Sequence, residues 1–189
     1  PDGKALLTQW RTTPVAVDWD KDGLMDLVML DQEGYLAFFK RAKKGDALVL
    51  LHPQRVLCAG QAEKAAGLGD QLLSHLKVKT PVTMTPGLPL RLNAGIAGKS
   101  GRRKLSIVDW DQDGRLDLLL NSANANFLRQ TNTAEGKWFF ADMGLLSDAN
   151  IEGHDVSPTV VDFNGDGTPD FLGGAEDGHL YYLRNPKTK

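Results

Sequence analysis

Residues 161–170 read Val-Asp-Phe-Asn-Gly-Asp-Gly-Thr-Pro-Asp, and the nine-residue loop that begins at Asp162 occurs three times in the chain. The other copies begin at Asp18 and Asp109 and read Asp-Trp-Asp-Lys-Asp-Gly-Leu-Met-Asp and Asp-Trp-Asp-Gln-Asp-Gly-Arg-Leu-Asp. Each copy has oxygen-bearing side chains at positions 1, 3, 5 and 9 and glycine at position 6. Carboxylates this close together repel one another unless a cation lies between them. The repeat therefore predicts three cation-binding loops.

Calcium is the cation that this set of ligands favours, because Ca²⁺ takes about six to eight oxygens from carboxylates and carbonyl groups. Positions 1, 3, 5 and 9 would bind through side chains and position 7 through its backbone carbonyl, which explains why position 7 varies among the copies. Asn164 replaces an acid by a neutral amide, so we expect the third site to bind more weakly. The predicted ligands are Asp18, Asp20, Asp22, Leu24 and Asp26; Asp109, Asp111, Asp113, Arg115 and Asp117; and Asp162, Asn164, Asp166, Thr168 and Asp170.

An EF-hand and a simple hairpin turn both fit the loops less well than a calcium site of this kind. An EF-hand needs a glutamate at position 12 and flanking helices, but position 12 is Met29, Leu120 or Gly173 and the flanks have the composition of strands. A single Asp-Gly pair often forms a hairpin turn without any ion. Three copies with one pattern of oxygen ligands make a chance set of hairpin turns improbable.

The composition is that of a globular protein: 189 residues, 41% hydrophobic and 24% charged, with a formal net charge of -2. The near-neutral charge disfavours nucleic-acid binding, and no apolar run approaches the roughly 18 residues of a membrane span. Cys58 is the single cysteine, so no internal disulfide can form. Because calcium loops fill most readily outside the cytosol, we expect an extracellular or periplasmic protein.

Short runs of Val, Leu, Phe and Tyr, separated by Gly and Asp, predict an all-β protein with four antiparallel strands per repeat unit. Asp109 and Asp162 are 53 positions apart, which suits one blade of a β-propeller, whereas Asp18 and Asp109 are 91 apart. We therefore expect residues 1–189 to form a single partial propeller domain with blades at about 10–60, 101–145 and 154–187 and an insertion at about 61–92. Three blades do not close a ring, so the remainder of the propeller chain is an expected partner.

The Asp loop resembles the loops of FG-GAP or VCBS repeats in calcium-binding β-propellers, including the head of integrin α subunits. Residues 171–175, Phe-Leu-Gly-Gly-Ala, keep part of the Phe-Gly-Gly-Ala-Pro signature. The resemblance implies that the loops lie on one face of a disc and that the opposite face binds ligands. Similar propellers are also catalytic domains of some polysaccharide lyases.

Residues on the opposite face are expected to lie in the segments entering each first strand and in the turns after each second strand. Arginine can form bidentate hydrogen bonds with carboxylates or sulfates, and amides can form hydrogen bonds with sugar hydroxyls. We therefore expect an acidic polysaccharide as the ligand, with a protein as the alternative. Alternatively, the basic run is a solvated loop and the histidines are structural. The candidate ligand-binding residues are Arg11, Arg102, Arg103, Lys104, Asn124, His154, Asp155 and His179.

Two functional hypotheses follow. The first is a calcium-stabilised module that binds carbohydrate or protein without chemistry. The second is the C-terminal part of a polysaccharide lyase, or of another glycan-degrading enzyme with a propeller catalytic domain. In a lyase, His154 or His179 would abstract the proton and an arginine would neutralise the uronate carboxylate. The sequence contains no motif that identifies catalytic residues with certainty.

Overall fold

The computed structural model describes residues 8–9, 12–61, 84–93, 103–122, 124–149, 151 and 156–186. These residues form strands and no helix, which confirms the all-β prediction. The strands are β1 (Val15–Val17), β2 (Asp26–Leu30), β3 (Leu36–Phe39), β4 (Arg41–Lys44), β5 (Ala47–Leu50), β6 (Leu57–Ala59), β7 (Leu105–Val108), β8 (Asp117–Asn121), β9 (Ala125–Ala134), β10 (Lys137–Leu145), β11 (Ser157–Val161), β12 (Asp170–Gly174) and β13 (Leu180–Leu183).

One antiparallel three-stranded motif occurs three times, as β1-β2-β3, β7-β8-β9 and β11-β12-β13. In each copy the Asp loop joins the first two strands. The last aspartate of the loop is paired across the sheet with the residue that precedes the loop. The pairs are Val17 with Asp26, Val108 with Asp117, and Val161 with Asp170. The turn between the second and third strands therefore lies at the opposite end of each motif from the Asp loop.

The second motif is extended by β10 and β6, whereas the sheet of the first motif has three strands. β10 lies beside β9 and gives the second motif its predicted fourth strand. In the first motif, Phe38 and Gln54 exchange backbone hydrogen bonds of 2.9 Å, just before β6. The hairpin β4-β5 was not predicted; its turn contains Gly45, which has a positive φ of 62°. These sheets are consistent with the blades of a partial β-propeller.

The second half of the predicted insertion packs against the first motif. Residues 62–83 lie outside the described part of the chain, but residues 88–92 run between β3 and β6. The N–H of Leu36 donates to the carbonyl of Leu90 and the N–H of Leu90 to the carbonyl of Leu57, both at 2.9 Å. The guanidinium groups of Arg55 and Arg91 lie over the Tyr35 ring, 4.0 and 5.2 Å from its centroid. This segment thus lies beside β3 and is held there by backbone hydrogen bonds.

The described residues fall into two compact units. The first contains β1 to β6 and residues 84–93, the second contains β7, β8 and β11 to β13, and the residues of β9 and β10 are divided between them. The core of the first unit includes Met29 and Phe39. In the second unit the second and third motifs share one core, in which Trp110 and Phe171 are buried together.

The aromatic residue at loop position 2 is buried in two of the three copies. Trp19 and Trp110 are 5% and 7% exposed, whereas Phe163 is 60% exposed. Within the first unit, Trp19 packs on Trp138 with ring centroids 5.2 Å apart. The two tryptophans therefore pack in the interior of their units, whereas the exposed Phe163 lies against Tyr182 with ring centroids 5.3 Å apart.

Candidate metal centre

The backbone of the Asp loop makes two left-handed turns, at positions 4 and 6. Lys21 and Gln112 at position 4 have φ values of 60° and 59°. At position 6 the φ values are 85°, 87° and 83° for Gly23, Gly114 and Gly167. Glycine reaches this region without the steric cost that a Cβ adds, which explains its presence at position 6 in every copy.

The aspartate at position 1 holds the second of these turns. One of its oxygens accepts the N–H of the position 6 glycine at 3.0, 2.9 and 2.9 Å in the three loops. The aspartate at position 5 in turn accepts the N–H of position 7 at 2.9, 2.9 and 3.0 Å. These short-range bonds fold each loop inward and bring alternate side chains together.

The aspartate at position 9 links the loop to the sheet. Asp26, Asp117 and Asp170 are buried, with exposures of 1%, 0% and 0%. One oxygen of each accepts a backbone N–H from the third strand or from just beyond it, at 2.8, 2.8 and 2.9 Å. The other oxygen of Asp26 and Asp117 accepts the N–H of the position 2 tryptophan at 3.2 and 3.0 Å. Burial raises the pKa of Asp117 to about 7, against the lowering effect of these bonds.

Carboxylates converge in the first two loops. Ligand oxygens of Asp18, Asp20 and Asp22 lie within 4.8 Å of one another, and so do those of Asp109, Asp111 and Asp117. Asp109 Oδ1 is buried and accepts no hydrogen bond from the described residues. An oxygen-only, negatively charged group with an unpaired buried oxygen fits a hard divalent cation. Acidic clusters that could hold a metal ion are therefore present where the sequence predicts them.

The third loop keeps the hydrogen bonds from position 6 to position 1 and from position 7 to position 5, with an amide at position 3. The N–H of Asp166 donates to Asp162 Oδ1 at 3.0 Å and to Asn164 Oδ1 at 2.8 Å. The Thr168 hydroxyl at position 7 is buried and, among the described residues, has no hydrogen-bond partner. The third loop therefore presents the same fold with one carboxylate fewer.

The basic side chains that contact these carboxylates were not predicted from the sequence. Lys40 pairs with Asp20 and lies 3.0 Å from Asp22, whose pKa its hydrogen bond lowers. Arg129 Nε lies 2.7 Å from Asp111, and Arg184 lies 3.1 Å from Asp166.

The second loop has a further cation at its own position 7. Arg115 Nε donates to Asp113 at 3.0 Å. Burial raises the pKa of Asp113, but hydrogen bonds from Arg115 outweigh it and keep that pKa below its usual value. Each loop thus has at least one cationic side chain against its carboxylates.

Neighbouring loops in the second unit also contact each other directly. The Gln112 side chain donates to the carbonyl of Gly167 at 2.9 Å. The Asn185 side chain donates to the carbonyls of Trp110 and Pro169 at 2.8 and 3.0 Å. The geometry of the second loop therefore depends in part on the third.

The candidate ligand-binding residues that the structure describes differ in their exposure and in their hydrogen bonds. Arg103 Nε donates to the carbonyl of Leu92 at 2.9 Å, and Lys104 donates to the Ser157 hydroxyl. Asn124 is fully buried, and its amide donates to two backbone carbonyls, so it has a structural task in its turn. The His179 side chain is 76% exposed, with Nδ1 3.2 Å from Asp177. The remaining candidates, which lie outside the described residues, are Arg11, Arg102, His154 and Asp155.

Comparison with protein families matches residues 109–173 to the FG-GAP-like repeat. The matched segment begins at the first aspartate of the second loop and ends within β12, so the FG-GAP-like repeat contains the second loop and all of the third. Searches of curated proteins and of solved structures found no match.

The first motif lies outside the FG-GAP-like match but has the same strand register and loop hydrogen bonds. The first motif is therefore structurally equivalent to the two motifs whose Asp loops lie within the match. None of the described residues forms a helix that is long and apolar enough to cross a membrane.

Replacing Gly114 by Ala should lower the free energy of unfolding by about 1–2 kcal/mol, because alanine pays the steric cost of a left-handed φ. No atom lies within 4 Å of the added Cβ, so the cost is conformational. Gly174→Ala is the matched control, since Gly174 also has open space but an ordinary strand conformation. Urea denaturation of both variants measures the difference, and equal losses would contradict a conformational origin.

Replacing Asp26 by Ala should destabilise the protein by about 2–4 kcal/mol, because it leaves two backbone N–H groups without their acceptor. Asp20→Ala, at the exposed position 3 of the same loop, should cost much less. Both variants are compared by thermal unfolding in excess chelator, where no metal contributes. A loss for Asp20→Ala as large as that for Asp26→Ala would show that position 9 has no special structural role.

Proposed function

We propose that the chain is a calcium-stabilised β-propeller module of an exported protein. The observation that carries this proposal is the threefold loop, which has two hydrogen bonds in common on the same strand register and whose acidic oxygens converge in the first two copies. The FG-GAP-like match supports a propeller-type module. Because FG-GAP repeats are typical of extracellular proteins, it also supports export.

The ion would be held by side-chain oxygens at positions 1, 3, 5 and 9 and by the carbonyl at position 7. When bound, Ca²⁺ supplies two positive charges and accepts about six to eight oxygens. The unpaired Oδ1 of Asp109 supports this assignment, because a buried carboxylate oxygen without a partner is costly. Asp117 would contribute through lone pairs that its two N–H bonds leave available, since each carboxylate oxygen has two.

The structural task of the loop is to fix the connection between the first two strands of a blade. Positions 1 and 5 fold the loop on itself, and position 9 binds it to the third strand. An ion bound only by this folded arrangement stabilises it by mass action. Calcium would thus act as a structural clamp rather than as a catalytic group.

The third blade offers a surface for the rest of the propeller. Phe163, Leu180 and Tyr182 are 60%, 66% and 40% exposed, although all are large and apolar or aromatic. The corresponding loop residues Trp19 and Trp110 are buried within their units. A further part of the propeller chain packed against the third blade would cover this surface.

The ligand of the opposite face is proposed to be an acidic polysaccharide, with a protein as the alternative. Among the described residues, Lys104 and the exposed His179 remain candidates, and Asn124 is left out because it is buried. Arg103, which is also described, remains a candidate as well. Arg11, Arg102, His154 and Asp155 remain candidates from the sequence alone. The described residues contain no constellation that favours the lyase hypothesis.

Removing calcium should lower the melting temperature by roughly several degrees, because an ion that binds only the folded state stabilises it. The measurement is thermal unfolding in excess chelator and in millimolar Ca²⁺, followed by circular dichroism. Isothermal titration should show three sites, with the third loop the weakest. An unchanged melting temperature would refute calcium stabilisation, and Mg²⁺ at the same concentration controls for ionic strength.

Acidic polysaccharides should retard the protein in an affinity gel, because cationic side chains attract carboxylates and sulfates. Lys104→Ala and His179→Ala should each reduce the retardation, whereas Lys44→Ala, on β4, should leave it unchanged. A neutral polysaccharide serves as the control matrix. Equal retardation by the neutral matrix would contradict the proposed ligand, and absorbance of an unsaturated product would indicate a lyase instead.

A further inference from the structure

The basic residues against the loops occupy one equivalent position in all three motifs. The residue after the last loop aspartate is paired across the sheet in each copy: Leu27 with Phe39, Leu118 with Leu128, and Phe171 with Leu183. Each of these partners is followed by a basic residue. The three basic residues are Lys40, Arg129 and Arg184.

The main chain fixes these residues beside their loops. The residues that follow them are Arg41, Gln130 and Asn185, and their N–H groups donate to the buried position 9 aspartate at 2.8, 2.8 and 2.9 Å. The basic side chain therefore starts from a backbone that is bonded to the loop itself. Its repeated contact with loop carboxylates follows from the architecture rather than from chance on a charged surface.

The contacts are made to the carboxylates at positions 3 and 5. Lys40 pairs with Asp20 and Asp22, and Arg129 lies 2.7 Å from Asp111 and 3.4 Å from Asp113. In the third loop position 3 is an amide, and Arg184 accordingly contacts Asp166 at position 5. The basic side chain in each copy thus contacts whichever of these two positions bear a carboxylate.

We propose that Lys40, Arg129 and Arg184 are built-in counter-cations that neutralise the loops in the ion-free protein and compete with Ca²⁺ for the same carboxylates. The inference rests on the proposed calcium function. In the ion-free state a basic side chain removes repulsion among the clustered carboxylates. When the ion binds, the pair must break or the cation must stay as a repelling neighbour, and both outcomes weaken calcium binding. The three residues therefore set calcium affinity and let the loops form without the ion.

The test compares the double variant Lys40→Gln/Arg184→Gln with the control Lys43→Gln/Lys44→Gln. Both pairs remove two positive charges, but Lys43 and Lys44 are exposed on β4. Lys40 and Arg184 are 38% and 65% exposed, so their replacement leaves the core intact. The measurements are calcium titration by calorimetry and melting temperature, in excess chelator and in saturating Ca²⁺.

The loop variant should bind calcium about twofold to fivefold more tightly than the wild type, in proportion to the modest strength of partly exposed ion pairs. It should melt below the wild type in chelator, and saturating Ca²⁺ should remove that difference. The β4 control should match the wild type in both measurements. Unchanged or weaker calcium binding by the loop variant, with normal binding by the wild type, would overturn the inference alone. If the wild type binds no calcium, the proposed function fails and the competition fails with it.

Discussion

Mutual repulsion among the loop carboxylates is the constraint on which the rest of each blade depends. Three carboxylates within 4.8 Å would separate in water unless something opposed them. Backbone N–H groups offset part of this repulsion, since the acids at positions 1 and 5 accept hydrogen bonds from the loop itself. Cationic side chains such as Lys40 offset a further part of the repulsion. The loop is thus a compact acidic turn that the chain can form by itself and that a divalent ion would tighten.

The position 9 aspartate transmits this local order to the sheet. Asp26 and Asp117 each bond the start of the loop and a residue on or just after the third strand, so three segments of one blade meet at a single buried carboxylate. Burying a carboxylate is costly unless it is hydrogen-bonded. The raised pKa of Asp117 reflects this cost. Changes in the loop therefore reach the sheet through one side chain per blade.

The loops, the strands that flank them and the glycine at position 6 could be predicted from the sequence, because the Asp pattern and the alternation of apolar residues are local signals. The basic position could not be found in the same way. Lys40 lies fourteen residues after Asp26, whereas Arg129 lies twelve after Asp117, because the turns between the second and third strands differ in length. Only the strand register aligns them. The contacts of Asn124 could not be predicted for a similar reason, since its amide donates to carbonyls at residues 147 and 149, which are distant in sequence.

In the second loop, cationic side chains and the proposed metal site share one group of acids. Arg115 and Arg129 reach Asp111 and Asp113, at positions 3 and 5. Neither of these contacts involves Asp109, whose Oδ1 is buried and, among the described residues, accepts no hydrogen bond. A guanidinium group carries one charge and donates along fixed directions, whereas a calcium ion carries two charges and accepts oxygens from several sides. The arginines therefore balance two carboxylates of the loop and leave the buried oxygen at position 1 to the proposed ion.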